Sequence, residues 1–150
     1  MKEILRTSKS PEDTFNIGKE LALKINKPSL IALSGEMGVG KTIFAKGFAS
    51  GLGVKELVTS PTFLGISEYY SGRIPFIHMD FYKKVVSEEK IEYYLAKNSV
   101  VLIEWFENFK EVYDKNLKPY ISVYIHYLKD ANNDYINNER QIKTEFEVLY

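Results

Sequence analysis

The period of the apolar positions changes along this chain, and the changes mark its elements. Glu3 to Thr7 reads as an opening edge strand. Phe15, Ile17, Leu21 and Ile25, with the small residues Gly18 and Ala22, recur at helical spacing and predict a helix up to Lys27-Pro28. Ser10-Pro11-Glu12-Asp13 supplies its start, with a serine cap, a proline at the first helical position and an acid near the capping-box site. Ser29 to Ser34 is a short buried strand, and Ile43 to Ala49 opens a helix that Gly51 and Gly53 stop. Pro61 pushes Ser60 towards an extended backbone. Phe63 to Tyr70 and Ile74 to Tyr82 then predict a hairpin about Ser71-Gly72-Arg73. Ser87 to Lys97 reads as a short helix, and Ser99 to Glu104 as the continuous apolar run of a buried parallel strand. Glu107 to Leu117 reads as a helix. Tyr120 to Leu128 and Gln141 to Leu149 read as a last hairpin around a polar, mobile loop from Lys129 to Arg140. With no repeat and no linker, the pattern predicts one α/β domain over residues 1–150. Its expected form is a central, mostly parallel sheet with flanking helices and antiparallel hairpins.

Between the second strand and second helix stands Gly35-Glu36-Met37-Gly38-Val39-Gly40-Lys41-Thr42, which fits G-x-x-x-x-G-K-[ST] at every required position and makes the expected fold P-loop NTPase-like. The glycines let the backbone curl so that consecutive N–H groups point inward at phosphate oxygens, and the helix start adds the positive end of its dipole. Gly35, Met37, Gly38, Val39, Gly40, Lys41, Thr42 and the adjoining Ile43 are therefore candidate nucleotide-binding residues. Lys41 is the expected cation for the β- and γ-phosphates, and the Thr42 hydroxyl the expected magnesium ligand. A chance match is the competing explanation, and the flanking strand and helix weaken it. Glu36 is out of character, because a carboxylate here repels phosphate unless it points outward.

Glu104 ends the apolar strand, where ligands bind outside the carboxyl ends of parallel strands. It is a candidate to hold magnesium or to polarise the attacking water, against the plainer role of a solvated acid. In His78-Met79-Asp80-Phe81-Tyr82, the residues His78, Asp80 and Tyr82 share one face of a strand and could line a site; Asp80 could equally cap the next turn. Thr62 follows a rigid Ser-Pro and could sense the γ-phosphate as a switch residue does, or be an ordinary loop threonine. Trp105, the single tryptophan, is either core or a shield beside Glu104, and His126 reads as a strand residue without a catalytic role.

Twenty basic and twenty acidic residues cancel, so nucleic acid held mainly through phosphate contacts is not expected, and any such role should run through a partner. The absence of cysteine excludes disulfides and thiol chemistry and fits a cytoplasmic enzyme. No run of eighteen apolar residues suggests a membrane span, and the N-terminus lacks an apolar signal-peptide core. The three arginines, Arg6, Arg73 and Arg140, are few for a small-molecule kinase, which clamps its transferring phosphate with several.

Together these segments resemble the TsaE family, once called YjeE, the small ATPase of bacterial tRNA threonylcarbamoyladenosine synthesis. The likeness covers most of the chain: Glu12 to Gly18, Gly35 to Thr42, Gly51-Leu52-Gly53-Val54, Ser60-Pro61-Thr62-Phe63, His78 to Tyr82 and Ile103-Glu104-Trp105. The last three segments, in that order and spacing, are specific to the family. The resemblance implies ATP and magnesium as cofactors and slow hydrolysis. It also implies work with two partners, TsaB and TsaD, which place a threonylcarbamoyl group on the adenosine beside the anticodon. By the same likeness Lys41 and Thr42 serve phosphate and magnesium, Glu104 serves the metal, and Asp80 and Thr62 are catalytic-site residues. Pro11 and Thr14 would lie near the adenine, and Arg140 would reach the nucleotide. The chain departs from the family at Lys83, where arginine is usual, at the bulky Phe106, and in a long loop from Asn132 to Asn138.

The reading that follows is a magnesium-dependent ATPase, slow alone and stimulated by a TsaB–TsaD-like complex, with tRNA met only indirectly and no membrane. A small-molecule kinase and a non-catalytic nucleotide-sensing module are the alternatives.

Overall fold

The computed structural model describes residues 2–61, 65–112 and 117–147. In chain order the elements are β1 (Lys2–Ser8), α1 (Pro11–Leu23), β2 (Ser29–Gly35), α2 (Lys41–Gly51), β3 (Ile66–Tyr69) and β4 (Phe76–Asp80). They continue with α3 (Glu88–Ala96), β5 (Val100–Glu104), α4 (Glu107–Val112), β6 (Ile121–Lys129) and β7 (Tyr135–Phe146). The seven strands form one sheet in the order β1-β7-β6-β2-β5-β4-β3. Its centre, β6-β2-β5-β4, is parallel, and the antiparallel pairs β1–β7, β6–β7 and β3–β4 lie outside it.

Alternation along the strands sorts side chains to two faces. Ile31, Leu33, Phe76, Val100, Leu102 and Val123 pack against Ile17 and Leu21 of α1 and Phe44 and Phe48 of α2. Leu30, Ala32, Ile77, Met79, Val101 and Ile103 pack on the other face against Ile91 and Tyr94 of α3 and Phe109 of α4. Strands covered on both faces need apolar residues at every position, which is why β4 and β5 are buried throughout and read as unbroken runs.

Two elements differ from the sequence expectation. Helix α1 stops at Leu23 and does not run on to Lys27; Arg73 of the β3–β4 hairpin ties down its end, Nη2 donating to Ala22 O in the last turn at 2.6 Å and Nη1 to Ile25 O just beyond the helix. The stretch from Lys129 to Arg140 is not a loop: β7 begins at Tyr135, pairing with Lys129 across an irregularity after Tyr127. The connection is only Asp130 to Asp134, tied by Asp130, whose Oδ1 accepts from the backbone N–H groups of Asn132 (2.8 Å) and Asp134 (3.1 Å). Asparagines 137 and 138 thus belong to a strand, between the paired positions Tyr135 and Arg140, although their side chains are polar. Thr62 and Phe63 lie outside the described residues, as do residues 113–116 of the expected helix and the last part of the expected final strand.

Candidate functional site

The register of the parallel strands builds the site. Asp80 of β4 and Leu33 of β2 both stand opposite Glu104 of β5, so β4 and β5 end level and β2 runs two residues further, to Gly35. Beyond that edge the loop from Gly35 rises to the start of α2, as ligand sites on parallel sheets require. Gly40 is the N-cap of α2 at φ 119°, a conformation that only glycine adopts without strain, and it supplies no side chain of its own to the helix N-terminus. A cavity of about 560 Å³ opens here, lined by Gly38, Gly40, Lys41 and Thr42 of the loop and by Asp80 and Glu104 of the sheet. Met37, Ile43, Ser60, Tyr82, Lys83 and Trp105 complete its walls.

Lys41 is 7% exposed, and its ammonium donates to the carbonyls of Gly35 and Glu36, the latter at 3.2 Å. It also lies 4.4 Å from the centre of the Trp105 ring. Burial pushes its pKa below the ordinary lysine value, and the charges of Glu104, Glu107 and Asp80 partly restore it. Trp105 is held at φ 58°, a left-handed backbone that costs a bulky residue, and this turns its ring over the lysine; Tyr82 packs on it at 5.1 Å. The tryptophan is half-buried and walls the cavity.

Asp80 is buried and fully engaged. Its Oδ1 accepts from the Tyr82 backbone N–H at 2.9 Å, and its Oδ2 from the Ser60 hydroxyl at 3.2 Å. It therefore caps the turn after β4 and lines the cavity at once. Strand β4 ends at Asp80, so Tyr82 reaches the cavity from that turn. His78 does not line it: the ring is fully buried behind Glu104, with Nε2 2.7 Å from Glu104 Oε2. Sequence reasoning placed His78 on the Asp80 face and missed this pairing, which depends on β4 lying beside β5.

A second cavity, of about 220 Å³, lies on the other side of the loop. Pro11 and Thr14 of α1, Gly38, Val39, Gly40 and Ile43 of the loop region, and Arg140 of β7 meet there. The β1–β7 pairing places Ser8 opposite Arg140 and so joins the two ends of the chain. Thr14 is buried and shares a hydrogen bond with the Ser8 hydroxyl at 2.6 Å. Arg140 donates from Nε to Val39 O at 3.1 Å, and its guanidinium lies 4.3 Å from the centre of the Tyr127 ring, a neighbour that sequence reasoning also missed. Glu36 is exposed and faces the β6–β7 hairpin beside Tyr127 and Arg140, away from the phosphate cavity. His126 is exposed on β6 and stacks on Tyr124.

Among the described residues no cluster of three or more His, Cys, Asp or Glu side chains could hold a metal alone. The all-oxygen set of Thr42, Asp80 and Glu104 around one cavity nevertheless fits magnesium, which is commonly held by one or two carboxylates together with substrate phosphates. No helix among the described residues is long and apolar enough to cross a membrane.

The family model described as "Threonylcarbamoyl adenosine biosynthesis protein TsaE" matches residues 8–141, which contain every residue lining the two cavities. The chain belongs to the TsaE family. A TsaE relative of Bacillus subtilis, named tRNA threonylcarbamoyladenosine biosynthesis protein TsaE, is 39% identical over 107 residues, 70% of this chain and 68% of that protein. A TsaE of the same name from Nostoc is 38% identical over 103 residues, 64% of each. The matched stretch thus spans about two thirds of each relative's length. The crystal structure of Bacillus subtilis YdiB superposes with a TM-score of 0.77 at 30% identity, covering 97% of this chain and 87% of that one. A TsaE chain with a P-loop NTPase-like fold is a nucleotide-binding or nucleotide-hydrolysing protein.

Proposed function

We propose that this chain is a single-domain, cytoplasmic ATPase subunit of tRNA threonylcarbamoyladenosine biosynthesis that works with a TsaB–TsaD-like pair. The observation that carries the reading is the convergence of Lys41, Thr42, Asp80 and Glu104 on one cavity at the carboxyl ends of the parallel strands β2, β4 and β5. Family membership supplies the pathway.

In this mechanism the loop N–H groups and Lys41 hold the triphosphate, Lys41 leaving the loop carbonyls for phosphate oxygens. Thr42 and Glu104 would hold magnesium, which supplies charge neutralisation at the phosphates. Asp80, held still by Ser60 and the Tyr82 N–H, orients the attacking water together with Glu104. Pro11, Thr14 and Arg140 hold the nucleoside end in the second cavity. Thr62 completes the reading as a γ-phosphate sensor.

No arginine lines the phosphate cavity among the described residues. Turnover is therefore slow in the isolated chain, and a partner supplies the missing transition-state charge across the exposed Met37 and Tyr82. The balanced net charge leaves tRNA contact to that partner.

Phosphate release from ATP and magnesium by the purified chain, alone and with TsaB–TsaD, tests the reading. Stimulation by the pair that Lys41→Ala abolishes is the expected result. Tight ATP binding with no turnover, even with the pair, would replace it with the sensing module, and transfer of label to a metabolite with the kinase.

A further inference from the structure

The His78–Glu104 pair lies behind the phosphate cavity, and the phosphate-loop motif does not involve it. The ring of His78 is completely buried and stacks on Phe76 at 5.9 Å, which packs on Phe48 of α2 at 5.7 Å. Such surroundings suit an apolar side chain and leave the imidazole little freedom to turn. Its Nε2 is 2.7 Å from Glu104 Oε2. An ionised carboxylate only accepts, so Nε2 carries the hydrogen and donates it. Nδ1 is buried with no hydrogen-bond partner among the described residues, an arrangement that buried polar atoms avoid. The bond to Glu104 is thus the one polar contact recorded for this ring.

Glu104 in turn lies at the very end of β5, 3% exposed, facing the site from within the sheet. One of its oxygens is occupied by His78 and the other is left for the cavity. A carboxylate gripped by a donor that cannot rotate does not sample other rotamers, which is how supporting residues orient the ligands of metals and nucleophiles. We propose that His78 is a positioning residue: it holds Glu104 in the rotamer that presents its second oxygen to magnesium and the attacking water. The proposal rests on the ATPase reading for the identity of that ligand.

Three variants of the full chain test it: His78→Leu, His78→Gln and His78→Asn. A glutamine amide nitrogen reaches the place of Nε2, whereas an asparagine amide reaches only the place of Nδ1. Magnesium is titrated against each chain saturated with a non-hydrolysable ATP analogue, and phosphate release is measured with the partners. Leu and Asn are expected to weaken magnesium affinity and kcat by about 10- to 100-fold, while Gln stays within about threefold of the parent. Affinity for the analogue without metal stays unchanged in all three. Equal losses in Gln and Asn, tracking their melting temperatures, overturn the proposal and leave a packing role. So does a Leu variant that binds magnesium like the parent. A parent chain that binds magnesium with the analogue yet releases no phosphate removes the ATPase reading, and the titration alone then decides the role of His78.

Discussion

Helices α1 and α2 cross with no side chain between them at Gly47, and a single methyl group there is a sharp test of how α2 is held. A Cβ at this position would lie 1.9 Å from the carbonyl oxygen of Phe15, 2.6 Å from its carbon and 2.9 Å from its Cα. Real Cβ atoms essentially never approach closer than 3.0 Å, so the helices must part by about 1 Å. The obstacle is backbone, and no rotamer relieves it. Two terms oppose each other in Gly47→Ala. Alanine gains about 1 kcal/mol of helix propensity over glycine. Overpacking costs about 1–3 kcal/mol, and a clash with backbone belongs at the upper end. The net is a loss of about 2 kcal/mol, or a fall of roughly 4–8 °C in melting temperature for a domain of this size. Since α2 begins at Lys41, the displacement also tilts the phosphate loop and weakens nucleotide binding. Urea unfolding followed by circular dichroism measures the loss, with Ser50→Ala on the same helix as a control expected within about 0.5 kcal/mol. A Gly47→Ala chain whose midpoint equals or exceeds the parent's would refute the reasoning, because helix propensity would then outweigh the contact.

Arg73→Ala should cost about 1.5–3 kcal/mol by leaving the carbonyls of Ala22 in α1 and of Ile25 beyond it without their charged donor, read as a lower urea midpoint at an unchanged slope. Lys41→Met should weaken ATP binding at least about tenfold in a calorimetric titration without lowering the melting temperature at neutral pH. The sign follows from the lowered pKa of Lys41: the unfolded chain binds this proton more tightly, so the penalty is full below the folded pKa and is relieved as pH rises towards 10.5. The parent should therefore gain stability relative to Lys41→Met in that alkaline window; parallel pH curves would contradict it. Emission from Trp105 should change when ATP and magnesium bind, since Lys41 must leave its place 4.4 Å from the ring, and the change should vanish in Lys41→Met. Arg140→Ala should weaken nucleotide binding about tenfold while leaving kcat with the partners near the parent value, a split that separates holding the nucleoside from chemistry.

The strands and helices were legible wherever a short-range rule decides them. Ser10 caps α1, accepting from Asp13 N–H at 3.0 Å, because a hydroxyl at that spacing has a free backbone donor within reach. The phosphate loop and the buried run of β5 were equally plain, since a nest of N–H groups and a doubly covered strand are each built from contiguous residues. The hairpin of β6 and β7 was legible too, but not the point at which its second strand begins. The stretch from Lys129 to Arg140 is rich in asparagine and acid, yet Tyr135 pairs with Lys129, and Arg140 pairs with both Tyr127 of β6 and Ser8 of β1. Local composition does not register those pairings. The neighbours of the site divide in the same way. Lys41 and Thr42 follow from a motif, while the grip of His78 on Glu104 and of Arg140 on the Val39 carbonyl depends on which strands lie side by side and in what register. The sequence by itself determined the phosphate loop, the caps and the order of elements, all encoded within a few residues. Only the tertiary structure decided which distant side chains complete the cavities, because contacts between strands arise from the pairing of the whole sheet and carry no mark in either segment alone.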